Sequence, residues 1–289
     1  MSDERGGVRF EKWQALGNDY VIVEREELPW ELTPERIRRI CEPHFGIGAD
    51  GILLLSRSED ARHIAELRIF NPDGSEAELS GNGAREAVLY LRRAGWTEDD
   101  SFSILTKAGE VRPTIIAQGD VRMEIGRATL TSPDYPGGPE DGRGELEVAG
   151  RRWRFRHVNV GNPQCVIDVG AALEELDLAA IGPPIERHEL FPNRTNVSFI
   201  RIDGSRVRAR IFERGAGETL SSGTGASGAA VAAFLEGASS PIKVELDGGA
   251  LEVEVSEELD VTLTGSAEPV FEGKLSEELA SALGAGGGT

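Results

Sequence analysis

The chain has 289 residues, with 50 acidic against 31 basic side chains and a net charge of −19. So acidic a surface argues against nucleic acid or an anionic membrane as the main partner, since both would repel it. The length allows two domains of about 100–200 residues each. The two cysteines, Cys41 and Cys165, lack metal-ligand spacing and read as two buried thiols. The opening stretch, MSDERGGVRFEKW, has no signal-peptide core, and no apolar run approaches the ~20 residues of a membrane helix. The expected location is the cytoplasm.

In chain order, Val8–Trp13 alternates apolar and polar residues and predicts a strand; a turn at 15–19 and a second strand, Tyr20–Glu24, follow. Thr33 is a good N-cap, with Pro34 opening a helix. The loop 45–51 precedes a buried strand, Ile52–Ser56, and then a strand at Ala65–Asn71. Pro72-Asp73-Gly74-Ser75 is a turn, because Pro presets φ and Gly accepts positive φ. A Gly-rich entrance then leads into a helix from about Ala84 to Arg93, closed by Gly95. Further strands fill 101–130, and the Pro/Gly-rich segment 132–139 is the best linker candidate. A hairpin at 142–160, a turn at 161–164 and a strand at Cys165–Val169 come next. Leu173–Ile181 and Arg187–Leu190 read as short helices, and Asn196–Ile202 and Arg206–Glu213 as strands. A second Gly-rich entrance opens the helix Ala226–Leu235; strands from Ile242 to Thr264 and a terminal helix, Glu277–Leu283, precede a Gly tail expected to be disordered. The expected class is α+β: two pseudo-symmetric β-rich domains, each wrapped around a central helix. The expected boundaries are 1–131, completed by 270–289, and 132–269.

The symmetry comes from an internal repeat. RIFNPDGSEAELSGNGAR (Arg68–Arg85) matches RIFERGAGETLSSGTGA (Arg210–Ala226) without a gap at an offset of 142. Gly17-Asn18 recurs as Gly161-Asn162 at an offset of 144, each pair followed by an apolar run. Alone, Asn82-Gly83 fits a hairpin turn equally well. Two copies of S-G-[N/T]-G-A, each leading into an apolar helix, favour two helix N-termini. Such an end offers unpaired backbone N–H groups and a positive dipole, and so takes a carboxylate or phosphate. Glycines let the ligand approach the backbone. Two such ends point to a ligand held between the halves. No P-loop lysine follows the glycines, and H-E-x-x-H and G-x-S-x-G are absent from the sequence. The only lysines are Lys12, Lys107, Lys243 and Lys274, which leaves a pyridoxal enzyme unsupported.

The blocks LGNDYVIVE, HFGIGADGILLL, RIFNPDGSEAELSGNGAR, NVGNPQCVI, FPNRTNVSF and FERGAGETLSSGTGA, in this order over nearly the whole chain, resemble the diaminopimelate epimerases. That resemblance implies two mirror-related domains with the active site between them. It also implies no cofactor and no metal, a small-molecule amino-acid substrate and a homodimer. Asn71, Asn162 and Asn196 would bind substrate polar groups, with Asn18 beside them. Glu213 and Arg214 would hold the distal ammonium and carboxylate. Gly81-Asn82 and Gly223-Thr224 would cradle the reacting α-carboxylate, where preorganised donors stabilise the charge that develops as the α-proton leaves.

The sequence departs from the family at the chemistry. The family places one cysteine at the start of each Gly-rich entrance, as the two acid–base groups; here those positions are Ser80 and Ser222. A serine hydroxyl is a far weaker acid than a thiol and needs a strong neighbouring base. Gln14 and Gln164 also stand where the family usually has histidine, so the neighbourhood reads as having lost its helper bases. Three readings stay open. One is an epimerase working through serines. Another is a relative with altered chemistry, such as a hydroxyproline-type epimerase or dehydratase. The third is an amino-acid-binding homologue or disabled variant in which Ser80 and Ser222 simply cap helices.

Overall fold

The computed structural model describes residues 7–116 and 119–285. The expected Gly tail, 286–289, lies outside them. The described residues divide into two compact units. One runs to Val121 and resumes at Ser266; the other is Arg122–Gly265.

The sheet of the first unit is ordered Glu268–Lys274, Arg9–Ala15, Asn18–Glu24, Ile52–Arg57, Ala65–Phe70, Ile104–Thr106, Gly109–Val111. Alternation sets its two faces. Val21, Val23, Ile52 and Leu54 enter a core with Ile37 and Ile40 of the helix Pro34–Cys41. That helix starts where the sequence places it: Thr33 accepts a hydrogen bond from the Arg36 N–H at 3.4 Å. The first central helix, Gly81–Arg93, packs against Arg9–Ala15, Asn18–Glu24 and Ile52–Arg57.

The second unit repeats the plan. From Arg151–Asn159 its sheet proceeds to Pro163–Asp168, Asn196–Asp203, Arg206–Glu213, Ile242–Leu246 and Gly249–Val255. The pairing directions match those of the first unit. Val21 pairs with Ile52 in parallel, as Cys165 pairs with Val197, and Ala65 pairs with Ile104 in parallel, as Val207 pairs with Val244. The repeat seen in the sequence is therefore a repeat of β-sheet topology. The second central helix, Gly223–Leu235, is surrounded by strands, and Ala226, Ala229, Ala230, Val231 and Ala233 are all fully buried. A helix apolar on every face must be buried on every face, and alanine lets the strands close around it.

Three expectations are corrected. Both central helices begin three residues earlier than their apolar periodicity indicates, at Gly81 and Gly223, because Ser80 and Ser222 are the capping residues. Residues 173–181 do not form one helix. A 3-10 helix, Gly170–Glu175, is separated from the helix Leu178–Glu186 by Asp177, which caps the second through the Ala180 N–H at 3.2 Å; residues 187–190 are non-helical. The segment 132–139 lies within the second unit and is anchored to its core by Tyr135, which packs on Phe155 and Phe191.

The first central helix buries two ionisable side chains, Arg85 and Glu86. Burial holds the Glu86 carboxyl well above its ordinary value, against the opposing pull of Arg85, and Asp19 and Asp50 push it further up. A folded-state pKa above the unfolded one means stability that is complete below the unfolded value and lost as pH rises through the folded value. Glu86→Gln removes that loss. The gap in denaturation midpoint between the Gln variant and the native chain should widen, in favour of the variant, from acid to neutral pH; parallel midpoints would refute it. In the second helix, Ala229→Leu should cost about 1–3 kcal/mol by overpacking, read as a lower urea midpoint at an unchanged m-value.

Candidate active site

The sequence-predicted residues gather into two networks, one in each unit. In the first, Ser80 caps the central helix: its Oγ accepts the Gly83 N–H at 3.0 Å and its carbonyl accepts the Ala84 N–H at 2.8 Å. The backbone N–H groups of Gly81 and Asn82 precede these at the first turn of the helix. Gly81 has open space where a side chain would project. Gly83 is needed for packing instead, because a Cβ there would lie 2.9 Å from Leu53 Cδ2.

The Asn82 amide donates to Asn18 Oδ1 at 3.1 Å, and Asn18 donates to Asp50 Oδ2 at 2.9 Å. Arg85 binds Asn82 Oδ1 at 2.6 Å and the Gly81 carbonyl at 3.2 Å. Burial pushes the Arg85 guanidinium down to about 10, while Glu86 and Asp120 hold it up. It stays charged at neutral pH and adds positive potential to the helix N-terminus. The Tyr20 hydroxyl donates to Ser80 Oγ at 3.2 Å. Asn71 stands apart, ending its strand in a turn and donating to Ser75 Oγ at 2.9 Å.

In the second unit, Ser222 caps its helix in the same way, accepting the Gly225 N–H at 3.2 Å and the Ala226 N–H at its carbonyl at 2.9 Å. Gly223 and Thr224 carry the first helical N–H groups. Thr224 Oγ1 accepts from the Asn162 amide at 3.2 Å, and Asn162 Oδ1 accepts from Gln164 at 2.7 Å. Asn196 joins two loops, donating to the Pro163 carbonyl at 3.0 Å and accepting the Arg214 N–H at 2.9 Å. The Arg214 side chain is exposed and donates to the Asn193 carbonyl at 3.0 Å.

Glu213 overturns one expectation. The Ser222 hydroxyl donates to Glu213 Oε2 at 2.9 Å, so one serine does have a carboxylate base against it. Burial raises the Glu213 carboxyl above its ordinary value, and hydrogen bonds, that from Ser222 among them, pull the other way. The hairpin Arg206–Glu213 to Gly217–Thr219 turns the chain back and makes this contact. Neither cysteine replaces the missing thiols. Both are buried and free, and burial pushes the Cys41 thiol up to about 12 and the Cys165 thiol up as well.

Sequence reasoning missed Asp50, Arg85 and the Tyr20 hydroxyl. Asp50 and Tyr20 fall inside blocks already singled out, but nothing local shows what a side chain meets 60 residues further on. Gln14 is turned to Glu268, at 2.7 Å.

Each network joins helix-terminal donors, amide side chains and one serine hydroxyl, a set suited to an amino acid's carboxylate and its α-proton. Comparison with known proteins is consistent with this. The family model "Diaminopimelate epimerase" matches residues 10–131 and 156–270. The diaminopimelate epimerase of Synechococcus sp. (strain JA-3-3Ab) is 41% identical over 280 residues, 93% of this chain and 98% of that protein. That of Moorella thermoacetica is 42% identical over 282 residues, covering 92% and 98%. Among solved structures, a hydroxyproline epimerase from Agrobacterium vitis superposes with a TM-score of 0.66 at 16% identity, covering 95% of this chain and 94% of that one, which shows a shared fold. By sequence, the chain belongs to the diaminopimelate epimerase family.

Proposed function

We propose that the protein is a cofactor-independent epimerase that interconverts LL- and meso-diaminopimelate in lysine and peptidoglycan precursor biosynthesis, by two-base α-proton transfer through Ser80 and Ser222. The observation that carries this reading is the 2.9 Å hydrogen bond from Ser222 to the Glu213 carboxylate. An aliphatic hydroxyl becomes a base only when its own proton has somewhere to go. Ser222 Oγ accepts the Gly225 N–H and donates to Glu213, which leaves one lone pair open. As the α-proton passes to that lone pair, the serine's own proton passes to Glu213 Oε2, and the C–H electron pair stays on the substrate. The N–H groups of Gly81-Asn82 and Gly223-Thr224 receive the carboxylate on which the charge spreads. Asn18, Asn71, Asn162 and Asn196 bind the remaining polar groups, and Arg214 takes the distal carboxylate. The return step protonates the opposite face from Ser80.

The reading includes a homodimer, from family resemblance, and a cytoplasmic location, from the sequence pattern; light scattering of the purified protein tests the dimer. Ligand binding without turnover is favoured by one observation. Both serine oxygens already serve as caps, at 3.0 and 3.2 Å.

α-Proton exchange followed by NMR in D₂O, with LL- or meso-diaminopimelate, separates the two. The native chain should exchange and interconvert the isomers. Calorimetric binding without exchange, together with exchange by a Ser80→Cys/Ser222→Cys variant, would sink the enzymatic reading and leave the binding one. Glu213→Gln should lower the rate by about 10²-fold or more, as loss of a general base does. The base must be ionised, so activity should rise with pH through the Glu213 pKa. The acid limb should therefore lie above the ordinary glutamate value of about 4.3 and vanish in the Gln variant.

A further inference from the structure

We infer that Tyr20 is a positioning and proton-relay residue that makes Ser80 the acid of the pair, so that the two halves of the site are chemically unequal. The inference rests on the epimerase reading above.

The two hydroxyls differ in which of their lone pairs are taken. A serine hydroxyl has one proton and two acceptor sites. At Ser80 both acceptor sites are taken, one by the Tyr20 O–H at 3.2 Å and the other by the Gly83 N–H at 3.0 Å. Only the proton is left to offer. Ser222 is the reverse: its proton is committed to Glu213 and one acceptor site is open. One hydroxyl is thus set to give a proton and the other to take one.

The internal repeat sharpens the contrast. By the 144-residue offset, Tyr20 corresponds to Gln164, and by the 142-residue offset, Glu213 corresponds to Asn71. Gln164 donates to Asn162, and Asn71 donates to Ser75. Each half therefore uses a different position of the same plan to reach its serine. One half puts a phenol there and the other a carboxylate.

The step balances. The carbanion's electron pair forms a C–H bond with the Ser80 proton. The Ser80 O–H bond breaks as the Tyr20 proton moves onto Ser80 Oγ, and the negative charge ends on the Tyr20 oxygen, which regains a proton from solvent. A phenol is a far stronger acid than an aliphatic alcohol, so the relay avoids a free serine alkoxide. The phenol is held in place, because Tyr20 is buried and its ring lies against Gly51, where a Cβ would come within 2.6 Å.

Tyr20→Phe removes the one oxygen and keeps the ring. It should lower kcat by about 10²-fold, the usual scale for a lost acid–base group, with KM and the thermal midpoint little changed. A proton inventory in H₂O/D₂O mixtures should be curved for the native chain, with two protons in flight, and linear for the variant. In a Ser80→Cys background the kcat penalty of Tyr20→Phe should shrink, because a thiol needs no relay. An equal penalty in both backgrounds would mean a merely structural role and overturn the inference, as would native kinetics in Tyr20→Phe. If the native chain is silent while Ser80→Cys/Ser222→Cys exchanges, the relay fails and the substrate assignment survives. If neither exchanges, the substrate assignment fails too.

Discussion

Both networks depend on one contact made twice: a serine hydroxyl accepting the N–H three residues on, at the first turn of a buried helix. A helix leaves its first N–H groups unsatisfied, and burying them without partners is costly. The cap satisfies one of them and fixes where the helix starts. It thereby fixes which N–H groups form the first turn. It also holds the serine oxygen at the mouth of the helix, next to those same groups. Structural and chemical roles for Ser80 and Ser222 are therefore not alternatives. The cap places the hydroxyl, and the hydroxyl's other two directions decide what it can do.

The fold was legible because its signals are local or repeated. Thr33-Pro34, the Pro72–Ser75 turn and the alternation in Ile52–Ser56 each state an element within a few residues. The gapless match of Arg68–Ala84 to Arg210–Ala226 states the symmetry of the whole chain. What was illegible is long in range. That Glu213 meets Ser222 follows from a strand turning back through Gly217–Thr219, and that Tyr20 meets Ser80 follows from the packing of the central helix on Asn18–Glu24. Neither contact has a periodicity that could announce it. The 132–139 segment shows the opposite error: Pro and Gly mark irregular backbone, but they do not say whether it joins two units or belongs to one, and Tyr135 anchors this segment to the second unit's core.

The two helices also show how one plan supports different interiors. By the repeat, Arg85 corresponds to Ser227 and Glu86 to Gly228. Arg85 reaches the carbonyl of Gly81 at 3.2 Å, and Ser227 reaches that of Gly223 at 2.9 Å, so the first carbonyl of each helix is bound from the same position. Gly228 leaves room for Gln164, whose Cγ lies 2.8 Å from where a Cβ would be. The equivalent place in the first unit holds Glu86. A buried cation at a helix N-terminus works against the helix dipole, and a buried carboxylate beside it is costly unless neutralised. Tolerating both in one helix and neither in the other is a cost in stability, and it falls in the unit whose serine lacks a carboxylate partner.

The proposed reaction would give that placement an electrostatic sense. In the second unit Glu213 accepts a hydrogen bond from Ser222; under the proposed mechanism it would take the serine's proton, while its negative charge would oppose an incoming substrate carboxylate. In the first unit no carboxylate bonds to Ser80 among the described residues, and the charged Arg85 sits one helical turn in, bound to Gly81 and Asn82. Two copies of one scaffold thus give equivalent serines different partners, Tyr20 in one and Glu213 in the other, and under the proposed mechanism that inequality, rather than the symmetry, would let weak acids such as hydroxyls take on a proton transfer.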